Sequence, residues 1–439
     1  MKRTNRFARA RHRSVDGGHA RVREAEAAER VLTLAEMGAR GDAVGRLGPA
    51  SFYAPFSLPG EEVRARCVGD RAEILEILHE SPERVPAPCA HFGRCGGCQL
   101  QHWAEAPYLA WKRDQVALAL KKRGVEIEVA PIIQAWGEGR RRAALHAERA
   151  GRRVALGFVE RGGARIAPID ACPVLTPALQ GALPAIRAVA ELFAPSRGEI
   201  TLAALESETG IDLNVKGAGR AGGLDRAALE AAADVADAGD LARLSLDGEP
   251  LVARRTPLLT MGEARVAPPP GAFVQATRAG EEALGKFVAD ALRGAERVID
   301  LFSGCGTFAL RCASFAETHA VEGDEVMLRA LKAAADAAGG RVKAVTTERR
   351  DLLRTPVSAL EMKRFDAVVL DPPRSGARLQ AEQIGASRAS RVASVSCDPP
   401  TFARDARVLI DAGFKLTRVT PIDQFRWSPH IEIVGAFER

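Results

Sequence analysis

From about residue 270 to the C-terminus the chain repeats one pattern: a short apolar run, a turn, then an amphipathic helix. Candidate strands are "RVIDLF", "THAVEG", "RVKAVTT", "FDAVVLD", "RVASVS", "KLTRVTPI" and "IEIVGAF". Helices such as "EVMLRALKAAADAAG" and "PPTFARDARVLIDAG" lie between them. Apolar strands alternating with helices predict a mostly parallel sheet covered on both faces. Such a sheet binds ligands at the carboxyl ends of its strands, so the residues standing there matter most.

The remaining length must form other domains, because 439 residues exceed what one core organises, and two to four are expected. No apolar run approaches the roughly 18 residues that span a bilayer, and the N-terminus has no signal-peptide core. Eight cysteines in so long a chain do not make a disulfide scaffold, which points to a reducing, cytoplasmic setting. The net charge of +6 is carried entirely by "MKRTNRFARARHR" at the start, and the rest is formally neutral. A disordered basic tail suits a polyanion such as nucleic acid; a solvated tail without a task and an organelle transit peptide are the alternatives.

Residues 29 to 85 alternate apolar and polar between Gly-rich breaks and predict a small antiparallel, OB-like barrel, either an oligonucleotide binder or a spacer. "SPERVPAPC" ends it with three prolines. A helix over "EAPYLAWKRDQVALALKKRG" follows, with Leu109, Val116 and Leu120 on one face. Residues 140–153 hold six arginines and one acid, either a phosphate-binding surface or a solvated charged face. "VALGFVERGGARIAPIDACPVL" reads as paired strands, and a helix reached through a Gly loop is expected near "LDRAALEAAADVADAGD".

Four constellations carry chemistry. In "DLFSGCGTFA", Gly304 and Gly306 let the backbone approach a ligand, and Glu322 closes the next strand 22 residues after Asp300. A carboxylate there accepts ribose hydroxyls, so an adenosine-containing cofactor fits, NAD or S-adenosylmethionine. In "VVLDPPRSG", Asp371 stands at a strand end; Arg374 occupies the place where amino-methyltransferases put a base-stacking aromatic. In "SVSCDPPTFARD", Cys397 ends the next strand, and His430 and Glu432 open the last one. A thiolate, a carboxylate base and an adenosyl cofactor in one crevice suit methylation at carbon 5 of a pyrimidine. Thiolate attack on carbon 6 makes carbon 5 nucleophilic, and a base then removes its proton so that the thiol can leave. Finally, Cys89, Cys95 and Cys98, spaced C-x5-C-x2-C, read as metal ligands with Cys172 as the fourth, for zinc or an iron–sulfur cluster. Cys67, Cys305 and Cys312 have no such companions.

These elements in this order resemble the RNA uracil-5-methyltransferase family, over nearly the whole chain from residue 29. "LPGEEV" and "SPERVPAPC" are similar to a TRAM domain, and the cysteine pattern is similar to the family's bacterial 23S rRNA branch, which implies a [4Fe-4S] cluster on Cys89, Cys95, Cys98 and Cys172. The resemblance implies an α/β fold: a basic tail at 1–28, a TRAM barrel at 29–85, a central α+β iron–sulfur domain at 86–268, and a Rossmann-like class I methyltransferase domain at 269–439. It implies S-adenosylmethionine contacts at Gln275, Phe302, Thr307, Glu322 and Asp371, with Asp351 near the adenine, Cys397 as nucleophile and Glu432 as base. The expected protein is a cytoplasmic monomer that binds no membrane and methylates a uridine of 23S rRNA. Phe425 and Trp427 flank the expected pocket as stacking candidates for the extruded base. Thr277 and Thr307 stand where many members have Asn, and "DQFRWSPH" replaces a more usual "DMFPxTxH". The alternatives are methylation of tRNA, a dinucleotide-dependent oxidoreductase that gives Cys397 and Glu432 no joint task, and an inactive, cluster-dependent RNA-binding protein.

Overall fold

A computed structural model describes residues 27–219 and 221–439, so the basic stretch at the N-terminus lies outside the described residues. The chain divides into two compact units, Met1–Val85 and Pro86–Arg439. In the first, strands Ala28–Met37, Ala43–Leu47, Ala50–Ala54, Arg71–His79 and Glu62–Val68 close into a barrel in that spatial order. Period-2 alternation turns Leu32, Leu34, Phe52, Val63 and Ala65 inward. Glu61 of "LPGEEV" is fully buried, accepts the Leu58 amide, and receives both a 2.6 Å and a 2.9 Å hydrogen bond from Arg84 of "SPERVP". One bidentate ion pair thus ties the end of this unit back to its third turn.

The second unit contains two large sheets. One has seven strands, ordered Glu249–Ala253, Leu241–Leu246, Gly210–Lys216, Glu199–Ser207, Arg142–Ala150, Arg153–Val159 and Ile166–Pro168. Helices Leu183–Phe193 and Arg226–Ala238 cover one face through Ile186, Val189 and Ala232, against Leu145, Leu202 and Leu213.

The other sheet contains all seven strands expected after residue 270. Their spatial order is Val345–Arg349, Glu317–Glu322, Arg297–Leu301, Ala367–Leu370, Arg391–Ser396, Glu432–Glu438 and Lys415–Asp423, with Ile133–Gln134 added at the edge. The first five run parallel; Glu432–Glu438 is antiparallel to its neighbours on both sides. Alternate strand residues feed opposite layers. Ile299, Val368 and Leu370 pack with Phe402, Ala406 and the helix Glu105–Lys121, whereas Val298, Ala367 and Val369 pack with Leu284, Phe287 and Phe308. Strand order reverses between Arg297–Leu301 and Ala367–Leu370, where the outgoing loops part and leave a crevice.

Candidate active site

The crevice begins where Arg297–Leu301 ends. Phe302 takes a left-handed backbone, φ 66°, and its amide and that of Ser303 bond to the Val321 carbonyl at 3.0 and 3.1 Å. Gly306, at φ 105°, has no room for a side chain, since a Cβ would meet Leu310 at 2.8 Å and Leu331 at 2.9 Å. Gly304, at φ 53°, faces open space apart from Met327 at 3.8 Å. Its amide donates to Glu322 at 3.0 Å, while the amides of Gly323 and Asp324 bond the other Glu322 oxygen at 2.7 and 3.0 Å. The carboxylate is therefore fixed beside the Gly turn.

Asp300, used above only as a marker for spacing, is fully buried under this turn, and neither of its oxygens has a hydrogen-bond partner among the described residues. Burial and the neighbouring Asp371 push its carboxyl well above the ordinary range, against a weak pull from the Ala309 amide. Ser303 Oγ is buried and unpartnered as well. Orphaned oxygens beside an open Gly turn fit a ligand that brings hydroxyl donors and positive charge, which is the chemistry of S-adenosylmethionine. Thr307, half-buried, follows the same turn, and its carbonyl accepts from Arg311 at 2.6 Å.

Asp371 ends the adjacent strand, its amide on the Leu301 carbonyl at 3.3 Å, and burial lifts its pKa to about 7. Cys397 ends the next strand and is half-buried. Immediately after it, Asp398 caps the helix Pro399–Asp411, accepting from the Thr401 amide at 3.2 Å, with Pro399 in the first turn. The cysteine is thus pinned between a strand end and a helix cap. Antiparallel pairing of Ser396 with Ile433 sets Cys397 opposite Glu432. Burial, then the charges of Glu432 and Asp371, push the Cys397 thiol to about 11, against the pull of Arg374. Glu432 is itself buried, and desolvation together with Asp371 raises it to about 8.

Gln275 is buried and joins this group through Gln424, whose Nε2 lies 2.6 Å from Gln275 Oε1 and 3.2 Å from Glu432 Oε1. Asp351 is exposed on the loop after Val345–Arg349, and its carboxylate accepts the Leu353 amide at 3.2 Å. Thr277 caps the helix Arg278–Ala291 and donates to the Ala135 carbonyl at 2.6 Å.

The loop between Asp423 and Glu432 is held from two further sides. Lys112 and Tyr108, one turn apart on the helix Glu105–Lys121, reach Asp423 at 2.6 and 2.9 Å in a fully buried cluster. The amides of Gln99 and Leu100 donate to the Trp427 carbonyl at 2.8 and 3.0 Å. Trp427 packs toward the seven-stranded sheet's core, and Phe425 meets the edge of His430 with Arg140 over its ring. Lys112, one turn before Val116 on the helix's apolar face, is the feature of the sequence that could have pointed to this clamp.

Cys89, Cys95, Cys98 and, from far along the chain, Cys172 line one cavity with His91 and Arg140. The Gly97 amide points at Cys95 Sγ, 3.4 Å away, and a Cβ on Gly96 would sit 2.5 Å from the Val159 carbonyl, so glycine is required there. Among the described residues no three His, Cys, Asp or Glu side chains are arranged to hold a single metal ion. The arginines at 140–153 do not form one face. Arg141 is buried in an ion pair with Glu281, Arg149 donates to the Ala194 and Glu191 carbonyls, and Arg152 and Arg153 are exposed.

A family model described as tRNA (Uracil-5-)-methyltransferase matches residues 269–438. An RNA methyltransferase of Caulobacter vibrioides is 47% identical over 93% of this chain and 99% of its own. The 23S rRNA (uracil(1939)-C(5))-methyltransferase RlmD of Pseudomonas fluorescens is 35% identical over 93% of each. A Pyrococcus abyssi tRNA (uracil-54, C5)-methyltransferase, solved with S-adenosyl-L-homocysteine, shares the fold at a TM-score of 0.72 with 23% identity, over 93% of this chain and 99% of that one. With a thiol and a carboxylate at neighbouring strand ends, a Gly turn beside Glu322 and these relatives, the chain belongs to the family of S-adenosylmethionine-dependent RNA (uracil-C5)-methyltransferases.

Proposed function

We propose that this enzyme methylates carbon 5 of a uridine in 23S rRNA, with Cys397 as nucleophile and Glu432 as base. The observation that carries the reading is the pairing of Ser396 with Ile433, which opposes a thiol and a buried carboxylate at the mouth of the crevice, next to Asp371. Cys397 adds to carbon 6 of the extruded uracil, carbon 5 takes the methyl group, and Glu432 removes the proton from carbon 5. The carbon–carbon double bond re-forms as the thiolate leaves. S-adenosylmethionine, when bound, supplies the methyl group and a cationic sulfur whose field opposes that of the carboxylates. Gln275, Phe302, Thr307, Glu322 and Asp371 hold it.

The Pseudomonas relative, matched across both chains, favours rRNA. The tRNA named in the family description and in the Pyrococcus structure makes tRNA the second reading. The domain reading is a basic tail to residue 28, a TRAM barrel at 29–85, a cluster-bearing domain at 86–268 and the methyltransferase domain at 269–439, in a cytoplasmic monomer. Four thiols lining one cavity, with a backbone amide directed at one sulfur, suit a thiolate-bound metal centre, and the likeness of the cysteine pattern to the family's bacterial 23S rRNA branch favours a [4Fe-4S] cluster over zinc.

RNA carrying 5-fluorouridine tests the chemistry, because fluorine at carbon 5 cannot leave as a proton. A denaturant-resistant protein–RNA adduct is expected on 23S rRNA with S-adenosylmethionine, absent in Cys397→Ala. An adduct with tRNA alone moves the substrate to the second reading, and none with either refutes the thiolate mechanism.

A further inference from the structure

Gln424 sits in the segment where this chain departs from the family pattern, and it makes contacts that an apolar side chain cannot. It is 1% exposed. The Thr277 amide, an unambiguous donor, lies 3.3 Å from its Oε1, which fixes the amide's orientation and turns its NH2 toward Glu432 and Gln275. Room for it comes from Gly280: a Cβ there would lie 2.8 Å from Gln424 Oε1 and 2.9 Å from its Cβ.

We propose that Gln424 is a positioning residue that aims both Glu432 and Gln275. The inference rests on the reading of Glu432 as the base. Gln424 Nε2 donates one hydrogen to Glu432 Oε1, leaving Oε2 to take the proton from carbon 5. Its other hydrogen goes to Gln275 Oε1, so the Gln275 NH2 is the end presented to a carbonyl or carboxylate oxygen in the crevice. A single buried amide thereby couples the base to a group that reaches the ligands. The donated hydrogen bond also favours the ionised form of Glu432, the form that accepts a proton.

Gln424→Met keeps length and volume but removes the donor. Adduct formation with 5-fluorouridine RNA needs Cys397 and methyl transfer but no proton removal, so loss of the Gln275 contact should slow it less than turnover, and the surviving trapping reports intact folding. Turnover of unmodified RNA should fall about tenfold or more, the usual scale for losing a hydrogen bond to a charged group. Methylated, covalently bound RNA should accumulate, and the acid limb of the rate profile should move to higher pH. Unchanged turnover with an unchanged acid limb overturns the proposal. A loss of fluorinated-RNA trapping in parallel with turnover also overturns it, because Gln424 would then only support the fold. Wild-type protein that traps no fluorinated RNA overturns the underlying assignment of Cys397 and Glu432, and with it any role for Gln424.

Discussion

Glu432 and Asp371 are carboxyls raised by burial to about 8 and about 7, and their proximity makes them titrate as a pair. In both, the folded state binds protons more tightly than the unfolded chain. Their contribution to stability is therefore complete at acid pH, below the unfolded carboxyl range, and is lost as pH rises through about 7 to 8. The slope approaches about 1.4 kcal/mol per pH unit for each proton held only by the folded state. Urea denaturation of ligand-free protein between pH 5 and 9 should show stability falling with pH, and Glu432→Gln should flatten the fall. Stability that rises across that range contradicts the assignment. The catalytic counterpart has the opposite sign: the base must be ionised and the thiol must form a thiolate, so kcat/KM should rise with pH through about 8 and on toward the Cys397 range near 11. Cys397 and Glu432 stood out in the sequence because the first ends one apolar run and the second opens another. Asp300 was not readable as a special residue, because only its burial without a partner distinguishes it from any strand aspartate.

At the scale of elements, the segment from Asp423 to Glu432 is a loop made rigid by its neighbours. Lys112 and Asp423, 1% and 0% exposed at their side chains, form its central ion pair, reinforced by Tyr108 and by the Phe425 amide at 2.9 Å from Asp423. Removing one partner of such a pair leaves the other charge buried alone. Lys112→Met should cost about 3–5 kcal/mol, and adding Asp423→Asn should recover part of it. Thermal or chemical denaturation measures both; a cost below 1 kcal/mol would mean that the pair does not hold the loop. The helix itself was legible in the sequence. Its Tyr108–Lys112 stripe gained meaning only when a residue more than 300 positions later proved to be its partner.

At the scale of the whole molecule, Cys98 and Gln99 are consecutive, so the cysteine cavity is one residue away from the amides that hold the Trp427 carbonyl. Protein prepared without oxygen should carry iron and sulfide near four of each and absorb in the visible, and Cys98→Ser should lose both. Zinc in place of iron would refute the cluster. Periodicity, glycine placement and the residues at strand ends were set by local sequence, since helix and strand repeats and tight turns depend on near neighbours. The strand order, the antiparallel insertion of Glu432–Glu438 beside Arg391–Ser396, the burial of Arg141 and the Gln424 contacts were decided only by tertiary structure. Each depends on which distant segments share a surface, and hydrophobic burial, which is non-directional, leaves that choice to the packing of the whole chain.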